Sequence, residues 1–328
     1  MHGLVTGTDP RQRPGDLELK LENPLGFFES ERLVGINDAL LQAIGCKWDR
    51  PPLLPASWDQ PPRLDALQLH RSRLSAYALE RSWVDKDPRL CITYSAYLHI
   101  LLRRIPLVVA LREPLAVATS LYARNGFSLN HGLVMWWLYN HHISSQICCE
   151  DLLVPYSNLL SLQGQDLDKL FGPFLEIHGH QRPSQDQAKA LITSLLRPEF
   201  NRAESALNAE CRACIHPLLL EICEHAYKSI IQSSDQLISF RDEFNSLPRS
   251  MLECSMREQL LPETEVSLLQ NRLYSIESEM RNVSSTLEQR ERDCVSLRHQ
   301  LRDLRNSLSW KITSPLRAFG DFLRALIG

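Results

Sequence analysis

Apolar residues along the chain switch between two spacings. Leu33 to Ile44 repeats them at helical intervals and stops at Gly45. Residues 49 to 62 hold five prolines and predict an extended loop. Helical spacing returns from Leu64 to Leu79. From there short apolar runs alternate with helical stretches. "SWVDKDPR" reads as a short strand ending in a charged loop, and "CITYSAYLHILLRR" as a helix. "PLVVAL" is continuously apolar and β-branched, the pattern of a strand buried on both faces. Pro114 suits the first turn of a helix that reaches Gly126. "HGLVMWWLYNHHISSQI" is a further helix, and "DLLVPY" a third strand. The alternation predicts an α/β fold, a parallel sheet with helices on its faces. More helices are expected from Asp166 to about Phe240.

Beyond that the pattern changes again. Residues 1–245 read as the α/β domain and 246–265 as a linker. Residues 266–308 read as a long α-helical coiled coil. Leu269, Leu273, Ile276, Met280, Val283, Leu287, Arg290, Cys294, Leu297, Leu301, Leu304 and Leu308 follow one another at alternating steps of four and three, and Arg290 alone breaks the apolar series. At ~1.5 Å per residue such a helix is roughly 60 Å long. A stripe of this length calls for a partner helix, most simply a second copy of the chain. The alternative is a helix folded back on the globular domain. Residues 309–328 form an amphipathic tail. From Pro315, helical spacing puts Leu316, Phe319, Leu323 and Ile327 on one face, with Lys311, Arg317 and Arg324 outnumbering Asp321. That composition suits peripheral contact with an anionic membrane surface or packing against a partner protein.

Composition narrows the classes. The chain has 328 residues, 44% hydrophobic and 23% charged, enough for one sizeable domain and an accessory region. A net charge of −3 argues against general nucleic-acid binding. No apolar run approaches the ~20 residues of a membrane span, and the first residues lack the features of a secretory signal. Nine cysteines without a regular framework suit reduced thiols in the cytoplasm. Cys211, Cys214, His216, Cys223 and His225 lie close in sequence. They read as a helical segment with packed thiols, or less readily as zinc ligands, because helix-forming residues fill the gap.

Candidate chemistry sits where strands end. Arg112 follows "LVVAL", and Ser120 lies two turns into the next helix. Ligands of open α/β sheets bind outside the carboxyl ends of the strands. A guanidinium and a hydroxyl there suit a phosphate; an ion pair between Arg112 and Glu113 accounts for the arginine equally well. Lys86, Asp87 and Arg89 end the neighbouring strand. Cations there can neutralise charge on a transferred anionic group, and a carboxylate can accept a hydroxyl proton. "WWLYNHH" has the composition of an acceptor cleft, but Trp136, Trp137 and Tyr139 cannot all face one way on a helix, which favours core packing for most of them.

The blocks "ENPLGFFESERLVGINDALL", "WVDKDPRL", "LVVALREPLAVATSLYARNG", "LVMWWLYN" and "LLVPYSNLL", in this order, resemble bacterial sulfotransferases that use the sulfate donor PAPS (3′-phosphoadenylyl sulfate). The resemblance spans about residues 18 to 200. It implies a P-loop-like three-layer sandwich around a parallel sheet, with PAPS as co-substrate and no metal. It implies that Arg112 and Ser120 bind the donor's 3′-phosphate, and that Lys86, Asp87 and Arg89 lie beside the transferring sulfuryl group. "SLSWKITSPLRAFG" is similar to a C-terminal segment of surface-polysaccharide glycosyltransferases, which implies a glycan context, with a carbohydrate or other hydroxyl as acceptor; the reduced thiols and the tail's composition add the expectation of a cytoplasmic protein, peripheral at the inner face of the membrane.

One departure stands out. Such sulfotransferases open with a strand and a loop of the type Gly-x-x-Arg-Ser-Gly-Thr-Ser that holds the 5′-phosphosulfate. "GLVTGTDP" carries no cation and follows no strand. The first strand is therefore expected to be missing, either because the true start lies upstream of Met1 or because the protein is truncated. Stripping a central strand exposes apolar neighbours and sheet edges, which favours the upstream start. The expected function is sulfuryl transfer from PAPS to a glycan hydroxyl. The alternative is a catalytically inactive coiled-coil scaffold, and either form is expected to be a homo-oligomer.

Overall fold

A computed structural model describes residues 5–6, 29, 31–59, 63–78, 83–84, 86–161, 164–184, 186–190, 212–261 and 263–306, with scattered positions from 311 to 324. It divides into two units, Met1–Pro262 and Glu263–Gly328. The first is mostly helical with a small parallel sheet component, broadly α/β.

The strands are β1 (Val5–Thr6), β2 (Trp83–Val84), β3 (Val108–Leu111) and β4 (Leu152–Pro155). They form two separate parallel pairs, β1 with β2 and β3 with β4. Val108 is level with Leu152, and Leu111 with Pro155. Sequence patterning does not predict β1. It overstates the burial of β3: Val109 and Leu111 are buried, but Val108 is 48% exposed, and the strand is covered on one face only. Among the described residues β3 pairs with a strand on one edge alone.

Around these strands lie α1 (Glu31–Ala43), α2 (Arg63–Ala78), α3 (Leu90–Leu101), α4 (Pro114–Asn125), α5 (Leu129–Ser144), α6 (Tyr156–Ser161), α7 (Gly164–Ile177), α8 (Pro217–Gln232), α9 (Gln236–Phe244) and α10 (Arg249–Arg257). One core joins α1, α2, α3 and the proline-rich loop through Leu33, Ile36, Leu40, Trp58, Leu74 and Tyr97. The other is built on α5, which packs against α3, α4, α8, α9 and α10. A helix apolar on every side must be enclosed, and Leu133, Val134, Met135, Trp136, Trp137 and Leu138 are all buried. Gly132 lets α4 come close: a Cβ there would stand 2.6 Å from the Cα of Ala118. That contact fixes the helix that carries Ser120.

The span 246–265, read from sequence as a linker, belongs in part to this core. Within it α10 buries Met251, Cys254 and Ser255, and Leu260 and Leu261 are buried after it. Their i, i+3, i+4 spacing is a short amphipathic helix, which the surrounding polar residues disguise. The boundary between units falls at Pro262 and Glu263.

Buried imidazoles give the first unit a pH response. His142 is 3% exposed, and its Nε2 lies 2.6 Å from the carbonyl oxygen of Pro52, to which it donates. Burial lowers its pKa to about 4 from an ordinary 6.5, with His141 adding to the shift and the Pro52 hydrogen bond opposing it. Burial also lowers His70, assisted by Arg73. The unfolded chain therefore takes up protons near pH 6.5 that the folded chain refuses. Stability from His142 is complete above about pH 6.5 and is lost as the pH falls toward about 4. The full loss is about 3 kcal/mol. Denaturant unfolding at pH 7 and pH 5 should show a drop that His142→Gln reduces; equal drops in both proteins contradict the assignment.

The second unit is dominated by α11 (Glu263–Asn306), 44 residues long. The tail positions Leu316, Phe319, Leu323 and Ile327, like Cys211 and the segment 191–211, lie outside the described residues. No helix among the described residues is long and apolar enough to cross a membrane.

Candidate functional site

Two groups of sequence-derived site residues stand at the carboxyl ends of the two strand pairs. The first follows β2. Asp87 is a helix-start residue: its Oδ1 accepts from the backbone N–H of Arg89 at 2.9 Å, with Pro88 between them at the entry to α3. The same oxygen accepts from Arg89 Nη1 at 3.1 Å, and Oδ2 accepts from Asn37 Nδ2 at 2.8 Å. Asn37, on α1, is itself held from behind. Its Oδ1 accepts from the hydroxyls of Thr93 at 2.8 Å and Tyr97 at 3.0 Å. The Asp87 side chain is 1% exposed. A general base must come within about 2.6–3.2 Å of the proton it takes. Both oxygens of this carboxylate are instead engaged in joining α1 to the start of α3.

The two cations beside it are also engaged. Lys86 Nζ is 2.8 Å from Glu29, and Arg89 Nε is 2.7 Å from Asp38. Arg89 Nη1 lies 3.9 Å from the second oxygen of Glu29. Burial disfavours the Arg89 charge, but Asp87 and then Asp38 outweigh it and hold the guanidinium pKa above its ordinary value. Lys86 and Arg89 thus face three carboxylates. Among the described residues the cluster is an ion network that pairs its cations with carboxylates and leaves no surplus of positive charge for an anionic ligand.

The second group follows β3. The guanidinium of Arg112 lies over the ring of Tyr156, 4.8 Å from its centroid. Tyr156 begins α6 directly after β4, so this stack sits at the ends of two paired parallel strands. The backbone is fixed as well: Trp136 Nε1 donates to the carbonyl oxygen of Arg112 at 2.8 Å. Glu113 is the cap of α4 and Pro114 its first residue. Ser120 lies on α4 and is exposed, while its neighbour Thr119 turns inward and donates to the Leu115 carbonyl at 2.7 Å.

The structure therefore gathers Lys86, Asp87 and Arg89 into one cluster, and gives Arg112 a separate aromatic seat. Trp136, marked in the sequence only as cleft or core, and Glu29, Asn37, Asp38 and Tyr156, which residue types alone did not single out, complete these groups. The signal was present in "GIND": Asn37 is a polar residue on the buried apolar face of α1, and Asp38 follows it on the exposed side. The aromatic helix is core: Trp136 and Trp137 are buried against Phe244, and the Tyr139 hydroxyl donates to the Trp48 carbonyl at 2.6 Å. Of the cysteine-rich stretch, Cys214 is exposed and Cys223 is buried, with its thiol 3.9 Å from the Leu133 carbonyl.

Comparison with known protein families, curated proteins and solved structures gives no match for this chain.

Proposed function

We propose that the first unit is a PAPS-dependent sulfotransferase domain, acting on a hydroxyl of a carbohydrate or surface-glycan acceptor. The observation that carries this reading is the Arg112 seat. The Arg112 guanidinium stacks on Tyr156, and Trp136 anchors the Arg112 backbone carbonyl, at the carboxyl ends of two adjacent parallel strands, where open α/β sheets bind ligands. Ser120 is exposed on the helix that starts there. A guanidinium and a hydroxyl fit the 3′-phosphate half of PAPS.

The other half of the donor fits less well. Lys86 and Arg89 are matched by Glu29, Asp38 and Asp87, so the 5′-phosphosulfate needs cations from elsewhere. In this reading Lys86 and Arg89 border the sulfuryl group, Asp87 positions Arg89, and the proton acceptor is a different residue. PAPS supplies a sulfuryl group on a phosphate leaving group.

The matched cations favour a second reading, a catalytically inactive scaffold. In that reading α11 joins copies of the chain, and the tail contacts a partner protein or the inner face of the membrane from the cytoplasm. Calorimetric titration of the full chain with adenosine 3′,5′-bisphosphate separates the two. Binding that Arg112→Ala weakens tenfold or more, at least about 1.4 kcal/mol, supports the donor site. Equal affinity in the variant refutes the role of Arg112. Absence of binding in the wild type leaves the scaffold.

A further inference from the structure

Along α11 the apolar stripe faces solvent: Ile276, Met280, Val283, Leu287, Leu297 and Leu301 are 47% to 68% exposed. We propose that two copies of this helix pair as a parallel, in-register coiled coil, with Cys294 of each copy facing Cys294 of the other. The inference rests on reading the stripe as a homo-oligomer seam; it does not depend on sulfuryl transfer.

The flanking charges favour the parallel direction. The stripe assigns Ile276, Val283, Arg290 and Leu297 to the d positions of the heptad, and Met280, Leu287, Cys294 and Leu301 to the a positions. In a parallel pair each g residue faces the e residue five places further along the other helix. Arg272 then faces Glu277 of the second copy, and Asp293 faces Arg298. By twofold symmetry each contact occurs twice. The remaining facing pairs are Glu279 with Ser284, Thr286 with Glu291, and Gln300 with Arg305. Each sets a charge against a neutral residue, and no like charges meet across these flanking pairs.

Arg290 sets the number of helices. It is the one charged residue in the stripe, and an in-register pair places two of its guanidinium groups in one layer. In a two-stranded coil the flank of that layer is open, so the arginine can lay its stem across the seam and reach Glu291 of the second copy with its head. Three or four helices would enclose the same layer and bring their guanidinium groups together without water. A polar residue at one seam position also penalises shifted registers, which set it against an apolar layer.

Cys294 reports the register. A parallel, aligned pair sets the two thiols in the same layer, whereas full antiparallel overlap sets Cys294 opposite Val283 of the other copy. The test uses the full chain. Its mass is measured by light scattering on a sizing column. The protein is then oxidised with copper–phenanthroline, which takes two electrons from two thiols as their protons leave to solvent, and is analysed on a non-reducing gel beside Cys294→Ser. The expected result is a dimer mass and a disulfide-linked dimer absent from Cys294→Ser. A monomer mass overturns the seam itself. A dimer mass with no linked species, or with the same linked species in Cys294→Ser, overturns the parallel register and leaves the homo-oligomer reading standing. A trimer or tetramer mass overturns the two-stranded assignment. Leu287→Glu should dissociate the dimer while leaving the circular dichroism of the aromatic core in the first unit unchanged. A variant that remains dimeric counts against the seam.

Discussion

Replacing Asp87 by alanine should lower the free energy of unfolding by about 3 kcal/mol. The carboxylate is 1% exposed and holds three donors: Asn37 Nδ2, the backbone N–H of Arg89 and Arg89 Nη1. Asn37 is fully buried, and its amide would lose its acceptor with no water to replace it. Arg89 would fare better, because Asp38 remains at 2.7 Å and is half exposed. Asp87→Asn should also destabilise, since its amide nitrogen would point either at Asn37 Nδ2 or at the donors of Arg89. This pair of variants separates structure from catalysis. A proton acceptor is dispensable for folding, so Asp87→Asn would then unfold like the wild type while losing sulfuryl transfer. A structural anchor shifts the denaturation midpoint of both variants. Unchanged midpoints would return Asp87 to the role of a base.

A larger loss, about 3–5 kcal/mol, is expected for Asp151→Ala. Asp151 stands one residue before β4 with its side chain sealed from solvent. Its Oδ1 accepts from the backbone N–H of Leu107 at 2.9 Å, and Oδ2 from the N–H of Cys148 at 2.8 Å. Arg104 donates to Oδ2 as well. Leu107 in turn accepts from the N–H of Leu152 at 2.9 Å. One carboxylate thus fixes the entry of β3 against the entry of β4, and with it the register that brings Arg112 and Tyr156 to the same end of the sheet. Alanine leaves two backbone donors without an acceptor, each at a cost of about 1–3 kcal/mol. Arg104 is one-third exposed and can turn to water, so most of the penalty belongs to the backbone. Guanidinium unfolding measures the loss, and amide exchange at Leu107 and Cys148 should quicken. A variant as stable as the wild type would show that the strand ladder holds the register without this carboxylate.

The sequence reaches some of this protein unaided, and the division has a physical cause. Periodicity placed α1 to α5, β2, β3, β4 and the helix of the second unit, because local spacing of apolar residues is enough to define a helix face or a buried strand. It marked Arg112, Ser120 and the Lys86–Arg89 segment, because polar groups at strand ends are conspicuous against apolar runs. It missed β1, whose two residues carry no period, and it took the span around α10 for a linker, because nine residues give one apolar stripe too short to stand out. It could not say what the cations of the β2 loop touch. Glu29 and Asp38 are 57 and 51 residues away along the chain from Lys86 and Arg89 respectively, and meet them only when α1 packs beside α3. The tertiary structure likewise decided that Tyr156 lies under Arg112, 44 residues distant in sequence, because a parallel β3–β4 register brings the two strand ends together. Residue type and spacing determine elements and candidate chemistry. Which charges neutralise one another follows from long-range packing that no local pattern encodes.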